Sequence, residues 1–178
     1  MISNKELVIL CMLYKKSMYG YEIEKEIIDT SMRDWTEIAF SSIYYLLKKL
    51  ESKDFVVSEI SLNKKSQTRK IYTITSKGKE IVKSNLLKII SERENLIWRI
   101  DLGLAYLDIL NSEEILKGLE NYRKDTINSI KGYNNLLDYL KSNNCSYNRL
   151  ELAERPLILL EAENKWINNL ISKIKESN

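Results

Sequence analysis

Apolar residues at Leu7, Leu10, Cys11 and Tyr14 recur at i, i+3, i+4 and i+7. This is the spacing of one buried helical face, and it predicts a first helix over Asn4 to Lys15. Ser17 to Gly20 interrupts the pattern. Tyr21, Ile23, Ile27 and Ile28 then resume it, with Glu22, Lys25, Glu26 and Asp29 outside, and predict a second helix over Tyr21 to Thr30. A third repeat, Ile43, Leu46, Leu47 and Leu50, predicts a helix from about Ser41 to Ser52, where Ser41 or Ser42 can accept hydrogen bonds from the first free backbone amides. The opposite face of this helix carries Ser42, Tyr45, Lys48, Lys49 and Ser52.

After the third helix the period falls to two. Phe55 to Ile60 and Lys70 to Thr75 are rich in β-branched and aromatic residues and read as two strands. The polar stretch between them, Ser61 to Arg69, reads as a projecting hairpin tip. Three helices followed by a basic two-stranded ribbon is the element order of a winged helix-turn-helix. In that arrangement the third helix can enter a major groove while the hairpin tip reaches neighbouring phosphates.

The second half differs in kind. Ser76 to Trp98 predicts a long helix with apolar points at Ile81, Leu86, Ile89, Ile90 and Ile97, and Asp101 to Leu110 is a short apolar segment. Ser112-Glu113-Glu114-Ile115 opens a further helix with an acidic first turn. Along it Leu119, Tyr122, Thr126, Ile130, Tyr133, Leu137 and Leu140 form a seam suited to helix packing. Ser142 to Asn144 is a break. A last helix follows with Leu157, Leu160, Trp166, Ile167, Leu170, Ile171 and Ile174 on its apolar side, its regular part expected to begin near Arg155 because Pro156 suits a first turn, with Arg149 to Glu154 as a separate turn or a kinked extension.

Composition narrows the function classes. Of 178 residues 44% are hydrophobic and 30% charged, with no His, two Cys, one Pro and five Gly. Without His, a Ser-His-Asp triad, a Cys-His dyad and a His-built zinc site are excluded. Cys11 and Cys145 make neither a CxxC pair nor a disulfide framework, which favours a reducing cytoplasm. There is no leader-like start, and no apolar run approaches the roughly 18 residues of a bilayer span, so a soluble cytoplasmic protein without a membrane partner is expected. The pairs Glu113-Glu114 and Glu161/Glu163 do not suggest a catalytic pair, and there is no Gly-rich phosphate loop. No catalytic residue, metal ligand or cofactor is expected.

The charge is unevenly placed. Residues 1–82 hold 14 Lys and Arg against 11 Asp and Glu, whereas 83–178 hold 14 of each, so the whole net charge of +3 lies in the first half. Lys64, Lys65, Arg69, Lys70, Lys77 and Lys79 concentrate it in a stretch with no acidic residue.

Three motifs carry a resemblance. Tyr19-Gly20-Tyr21-Glu22-Ile23, Ser42-Ile43-Tyr44-Tyr45-Leu46-Leu47-Lys48-Lys49-Leu50-Glu51 and Arg69-Lys70-Ile71-Tyr72-Thr73-Ile74-Thr75-Ser76-Lys77-Gly78 together resemble the PadR family of bacterial transcriptional regulators, in sequence and in spacing. A weaker likeness extends through Leu104 to Glu114 and the helix around Trp166. Tyr45 stands where the family usually has Pro. Asp54 stands where it usually has Gly after the third helix, and Asp tolerates a left-handed turn better than most residues. The resemblance implies a homodimer built by the C-terminal helices that binds a pseudo-palindromic operator, usually as a repressor, and that in some members responds to aromatic or phenolic compounds.

These readings combine into a mainly α protein with a small β-wing: a winged helix-turn-helix DNA-binding domain over residues 1–80 and a helical dimerisation domain over 81–178. The expected partners are double-stranded DNA, a second copy of the chain and a small aromatic effector. The expected DNA-facing residues are Ser41, Ser42, Tyr44, Tyr45, Lys48 and Lys49 on the third helix and Lys64, Lys65, Thr68 and Arg69 on the wing. Tyr44 either contacts DNA or packs as core, and the first is favoured because a ring can pack on protein while its hydroxyl reaches a phosphate. Charge alone would leave Lys48 and Lys49 an ordinary solvated face. Trp35, Trp98 and Trp166 read first as core or dimer contacts; for an effector the named neighbours are Trp98 and Tyr106. The alternative function is a winged-helix protein-interaction module without operator binding.

Overall fold

The computed structural model describes residues 2–30, 32, 43–62 and 68–176, with Leu62 and Thr68 through their backbone only. In order these form α1 (Asn4–Lys15), β1 (Met18–Tyr19), α2 (Gly20–Asp29), α3 (Ile43–Ser52), β2 (Val56–Leu62), β3 (Thr68–Ile74), α4 (Ser76–Ser91), α5 (Arg99–Ala105), a 3-10 turn (Leu107–Ile109), α6 (Ser112–Ser142) and α7 (Tyr147–Glu176). They divide into two compact units, residues 1–95 and 96–178. Helix α4 goes with the first unit because it packs on α1, with Val82 buried and Ile81 against the same core.

The first unit is a winged helix. Its antiparallel sheet runs β1-β3-β2, and β2 and β3 pair from Val56↔Ile74 to Leu62↔Thr68 without a bulge. β1 adds a third strand, Met18↔Tyr72 and Tyr19↔Ile71, within the segment expected only to interrupt the helices. Two residues are too few to display alternation. One continuous core joins Ile9, Leu10 and Leu13 of α1, Ile23 and Ile27 of α2, and Leu47 and Leu50 of α3 to Val56, Tyr72 and Ile74 of the sheet.

Two faces differ from their prediction, although Leu7 and Leu10 of α1 are buried as expected. In α1, Glu6, Ile9 and Leu13 are buried while Tyr14 is exposed and Cys11 half-buried, because α3, β3 and α4 all pack on this helix and widen its buried side. In α2 only Gly20, Ile23 and Ile27 are buried, whereas Tyr21 and Ile28 are exposed. The face of α3 is as predicted, with Ile43, Leu46, Leu47 and Leu50 all buried.

Two close fits fix the turn after α3. The amides of Asp54 and Phe55 donate to the carbonyls of Glu51 and Leu50 at 3.0 Å each, a Schellman closure with Asp54 left-handed at φ 58°. Thr75 caps α4 by accepting from the Gly78 amide at 3.0 Å. A Cβ at Gly78 would lie 2.2 Å from the Phe55 carbonyl oxygen, so only glycine lets this helix start against the turn.

The second unit is dominated by the α6/α7 hairpin. Leu137, Leu140, Ala153 and Leu157 form one small cluster near its turn, and Leu119, Ile167 and Ile171 another toward its open end. Asn144, left-handed at φ 49°, closes α6 with a second Schellman turn, the Cys145 amide donating to Leu140 at 3.0 Å.

Two expectations for this half are corrected. The long helix over Ser76 to Trp98 ends at Ser91, because the five residues after Ile90 are all polar and the apolar stripe lapses for more than a turn. α7 begins at Tyr147 rather than near Arg155 and runs through Pro156. The carbonyl that Pro156 leaves without a helical donor belongs to Leu152, an exposed position where water can satisfy it.

Candidate nucleic-acid interface

The exposed side of α3 follows from its buried one. With Ile43, Leu46, Leu47 and Leu50 inside, Tyr44 (59% exposed), Tyr45 (66%) and Lys48 stand outward. Tyr44 is exposed yet anchored, since its ring covers the first residue of α2. A Cβ at Gly20 would lie 2.6 Å from Tyr44 Cε1 and 3.2 Å from its hydroxyl. The close approach of ring to backbone explains the glycine of the Tyr-Gly-Tyr element.

On the other side of Gly20 the aromatic residues organise the root of the wing. The Tyr19 and Tyr21 rings stack with centroids 5.7 Å apart, and the Arg69 guanidinium lies 4.9 Å from the Tyr21 centroid. The Tyr19 hydroxyl donates to Ser61 Oγ at 3.3 Å. Such a cation–π contact is worth about 0.5–1 kcal/mol at an exposed site, enough to bias one Arg rotamer. The Tyr19-Gly20-Tyr21 turn therefore touches both Tyr44 of α3 and Arg69 of β3. Lys70 is drawn elsewhere, 3.9 Å from Glu51, whose other oxygen accepts from Ser58.

Lys49 is divided between solvent and the interior. Its ammonium lies 3.5 Å from Oε1 of Glu6, a buried carboxylate, and Lys53 donates to the same oxygen at 2.6 Å. The Ser3 amide donates to Glu6 Oε2 at 2.9 Å and the Glu6 amide to Ser3 Oγ at 3.3 Å, a capping box that opens α1. Burial by itself raises the Glu6 carboxyl. The hydrogen bonds from Lys53 and Ser3 and the attraction of the Lys53 ammonium outweigh it and hold the group at about 2, below its ordinary 4.5. α1 is thus tied electrostatically to the last turn of α3.

Ser41, Ser42, Lys64 and Lys65, together with Trp35, lie outside the described residues, and Thr68 is described only as the first backbone position of β3. The structure groups Tyr44, Tyr45 and Lys48 on one exposed helix face, with Arg69 held at the wing root. Glu6, Tyr19 and Tyr21 were missed as partners of this surface. Ser3-x-x-Glu6 is a legible capping signature, and Glu6 shares the 6, 9, 13 spacing of the buried face. Nothing in the pattern distinguishes Tyr21 from a core residue.

Of the two residues named for an effector, Trp98 (47% exposed) lines an open cavity of the second unit with Ser129, Tyr133, Pro156, Leu159, Leu160 and Glu163. Tyr106 is exposed and lies outside that lining. Among the described residues no group of three His, Cys, Asp or Glu side chains is placed to hold a metal ion, and no helix is long and apolar enough to cross a membrane.

Residues 9–84, which contain all three motifs up to Gly78, match the sequence model of the transcriptional regulator PadR-like family. An uncharacterized protein of Lysinibacillus sphaericus is 31% identical over 90 residues, 51% of this chain and 81% of that protein. The crystal structure of Bacillus subtilis PadR in complex with operator DNA superposes with a TM-score of 0.78 at 18% identity, over 95% of this chain and 98% of the other. The same regulator in complex with p-coumaric acid gives a TM-score of 0.71 at 19% identity, over 96% and 98%. The fold is shared over nearly the full length, the three motifs lie within the matched residues, and the chain belongs to the PadR-like family of transcriptional regulators.

Proposed function

We propose that this regulator binds a pseudo-palindromic operator as a homodimer and represses the genes behind it, with release by a small aromatic effector. The observation that carries the reading is the exposed Tyr44, Tyr45 and Lys48 face of α3 in the same winged-helix unit as Arg69, which Tyr21 holds at the wing root. α3 enters the major groove; Ser41, Ser42 and Lys49 complete its contacts. Lys64, Lys65, Thr68 and Arg69 grip phosphates beside the groove. The complex of Bacillus subtilis PadR with operator DNA supports this placement.

Residues 1–95 read DNA in this account and 96–178 pair the two copies. The exposed apolar side chains of the second unit support the pairing: Ile97 (93% exposed), Leu102, Ile109, Tyr147 and Ile158 need cover that the hairpin itself does not supply. A two-fold dimer would set the two α3 helices about one turn of duplex, roughly 34 Å, apart. Trp98 contacts the effector from the cavity it lines, and Tyr106, at the end of α5, is the second contact. p-Coumaric acid bound to the Bacillus subtilis regulator supports ligand control.

A salt series of binding to the duplex upstream of its own gene, against scrambled DNA of equal length, tests the proposal. Specific binding that weakens steeply with salt and prefers the native duplex is expected, since each neutralised phosphate contributes about 0.9 to the slope of log affinity against log salt. Equal, weak affinity for both duplexes would count against operator reading there and favour a protein-binding role for the winged helix.

A further inference from the structure

The buried side of α3 determines which of its exposed residues point most directly away from the protein. At about 100° per residue, Ile43, Leu46, Leu47 and Leu50 centre on one line, and Tyr45, Lys48 and Ser52 lie within about 30° of the opposite line. Tyr44 and Lys49 stand about 70° to either side of it. Each of these two is held by a neighbour on its own flank. The Tyr44 ring covers Gly20 of α2, and the Lys49 ammonium lies 3.5 Å from Glu6 of α1. Ser52, in the last turn, donates back to the Lys49 carbonyl at 2.8 Å. Tyr45 and Lys48 remain. Both are exposed, and neither makes a hydrogen bond, ion pair or ring contact among the described residues.

Position and chemistry then separate these two. Tyr45 is the third residue of α3 and Lys48 the sixth, and a recognition helix brings its N-terminal end to the base edges. Lysine ends in a point charge on a flexible stem, which a phosphate satisfies without regard to sequence. A tyrosine ring carries no charge. It has two rotatable bonds, so docking it restricts little freedom, and its apolar face matches the apolar group of the major groove, the C5-methyl of thymine.

We propose that Tyr45 is a specificity-determining residue whose ring packs on the C5-methyl of one thymine in each operator half-site, while Lys48, one turn further along, holds a phosphate. The inference rests on the operator-binding reading and gives it a sequence preference. Tyr45 is also the position at which α3 departs from the family motif, so this preference belongs to the chain itself.

Selection from a pool of randomised duplexes by the full-length protein tests this without a known operator. The wild-type chain should enrich a thymine at one symmetric position of each half-site. Deoxyuridine at that position removes only the methyl and should weaken binding about fourfold per half-site, the effect of burying one carbon. Tyr45→Ala should lose both the enriched thymine and the deoxyuridine effect. Its other selected positions and its salt slope should stay unchanged, because no charge is removed. Tyr45→Phe, which keeps the ring, should retain both. Wild-type selection of a site without such a thymine would overturn the proposal, as would a thymine still selected and still methyl-dependent in Tyr45→Ala. An equal loss of affinity for every sequence in Tyr45→Ala marks a phosphate contact and would overturn it too. So would a collapsed thermal melt of that variant, which would place the ring in the core. Failure of the wild-type protein to enrich any sequence removes the operator reading itself, and the role of Tyr45 with it.

Discussion

The two units are built to different standards of self-sufficiency. In the first, three helices, a sheet and the start of α4 surround one core, and the residues left outside α3 are tyrosines and a lysine suited to a polyanion. In the second, two small clusters are separated along the hairpin by a polar belt. There Tyr122 meets Glu163, Thr126 donates to the Tyr122 carbonyl, Arg123 meets Asn168, and Asn164 Oδ1 is buried without a hydrogen-bond partner among the described residues. Polar groups so placed add little net stability but specify which residues of α6 and α7 face each other. The contrast teaches that the first unit closes around one core while the second leaves Ile97, Leu102 and Ile109 outside its two clusters.

The sharpest way to break the first unit is at the turn beneath α4. Gly78→Ala forces a methyl against the backbone oxygen of Phe55 and should cost more than about 3 kcal/mol in chemical denaturation, well beyond an ordinary surface change. Gly118→Ala, in open space on α6, is its counterpart in the second unit and should be neutral or slightly stabilising.

Acid and alkali should separate the units next. Because the folded state lowers the Glu6 carboxyl from 4.5 to about 2, its contribution is fully present above about pH 5 and is lost as pH falls through that window. The loss should be on the order of 3 kcal/mol, and it should flatten in Glu6→Gln when unfolding is followed from pH 6 to 2. Tyr122 runs the other way. Its raised hydroxyl stabilises the hairpin below the ordinary tyrosine value of 10, and that contribution declines as pH rises toward 12. Tyr122→Phe should remove the alkaline decline, read by far-ultraviolet circular dichroism, while leaving the acid limb untouched.

Smaller effects belong to the DNA face. Tyr21→Leu removes the platform under Arg69 and should lower operator affinity by about two- to fivefold with the melting temperature unchanged, whereas Tyr21→Phe should retain it. Lys48→Ala should reduce the salt slope by about one phosphate contact. Loss of folding in Tyr21→Leu would place that ring in the core instead.

The parts of this molecule legible in advance are those where one periodicity acts alone. α3 is lined on one side only, and its four apolar residues name both its buried face and its exposed one. The α6 seam is equally plain. Where several elements press on one helix the pattern blurs: α1 receives three neighbours, so its burial spreads to Glu6 and Met12 and its repeat points the wrong way at Tyr14. Tyr21 keeps a core spacing but serves Arg69, a contact across 48 positions that no local pattern encodes. Pro156 suggested a helix start, yet tertiary packing of Ala153 and Leu157 carries α7 through it. Trp98 was named from the sequence for its place near the junction of the two halves, whereas the cavity it lines with Tyr133 and Glu163 joins residues of distant helices and no local pattern announces it.

Hydroxyl-radical footprinting of the full-length protein on its upstream duplex tests most directly whether two DNA-reading units are held by one pairing unit. The account predicts two equivalent protected segments with centres about one helical turn, 10 base pairs, apart, flanked by weaker protection from the wings. A single protected segment, or uniform protection without a centre of symmetry, would contradict it.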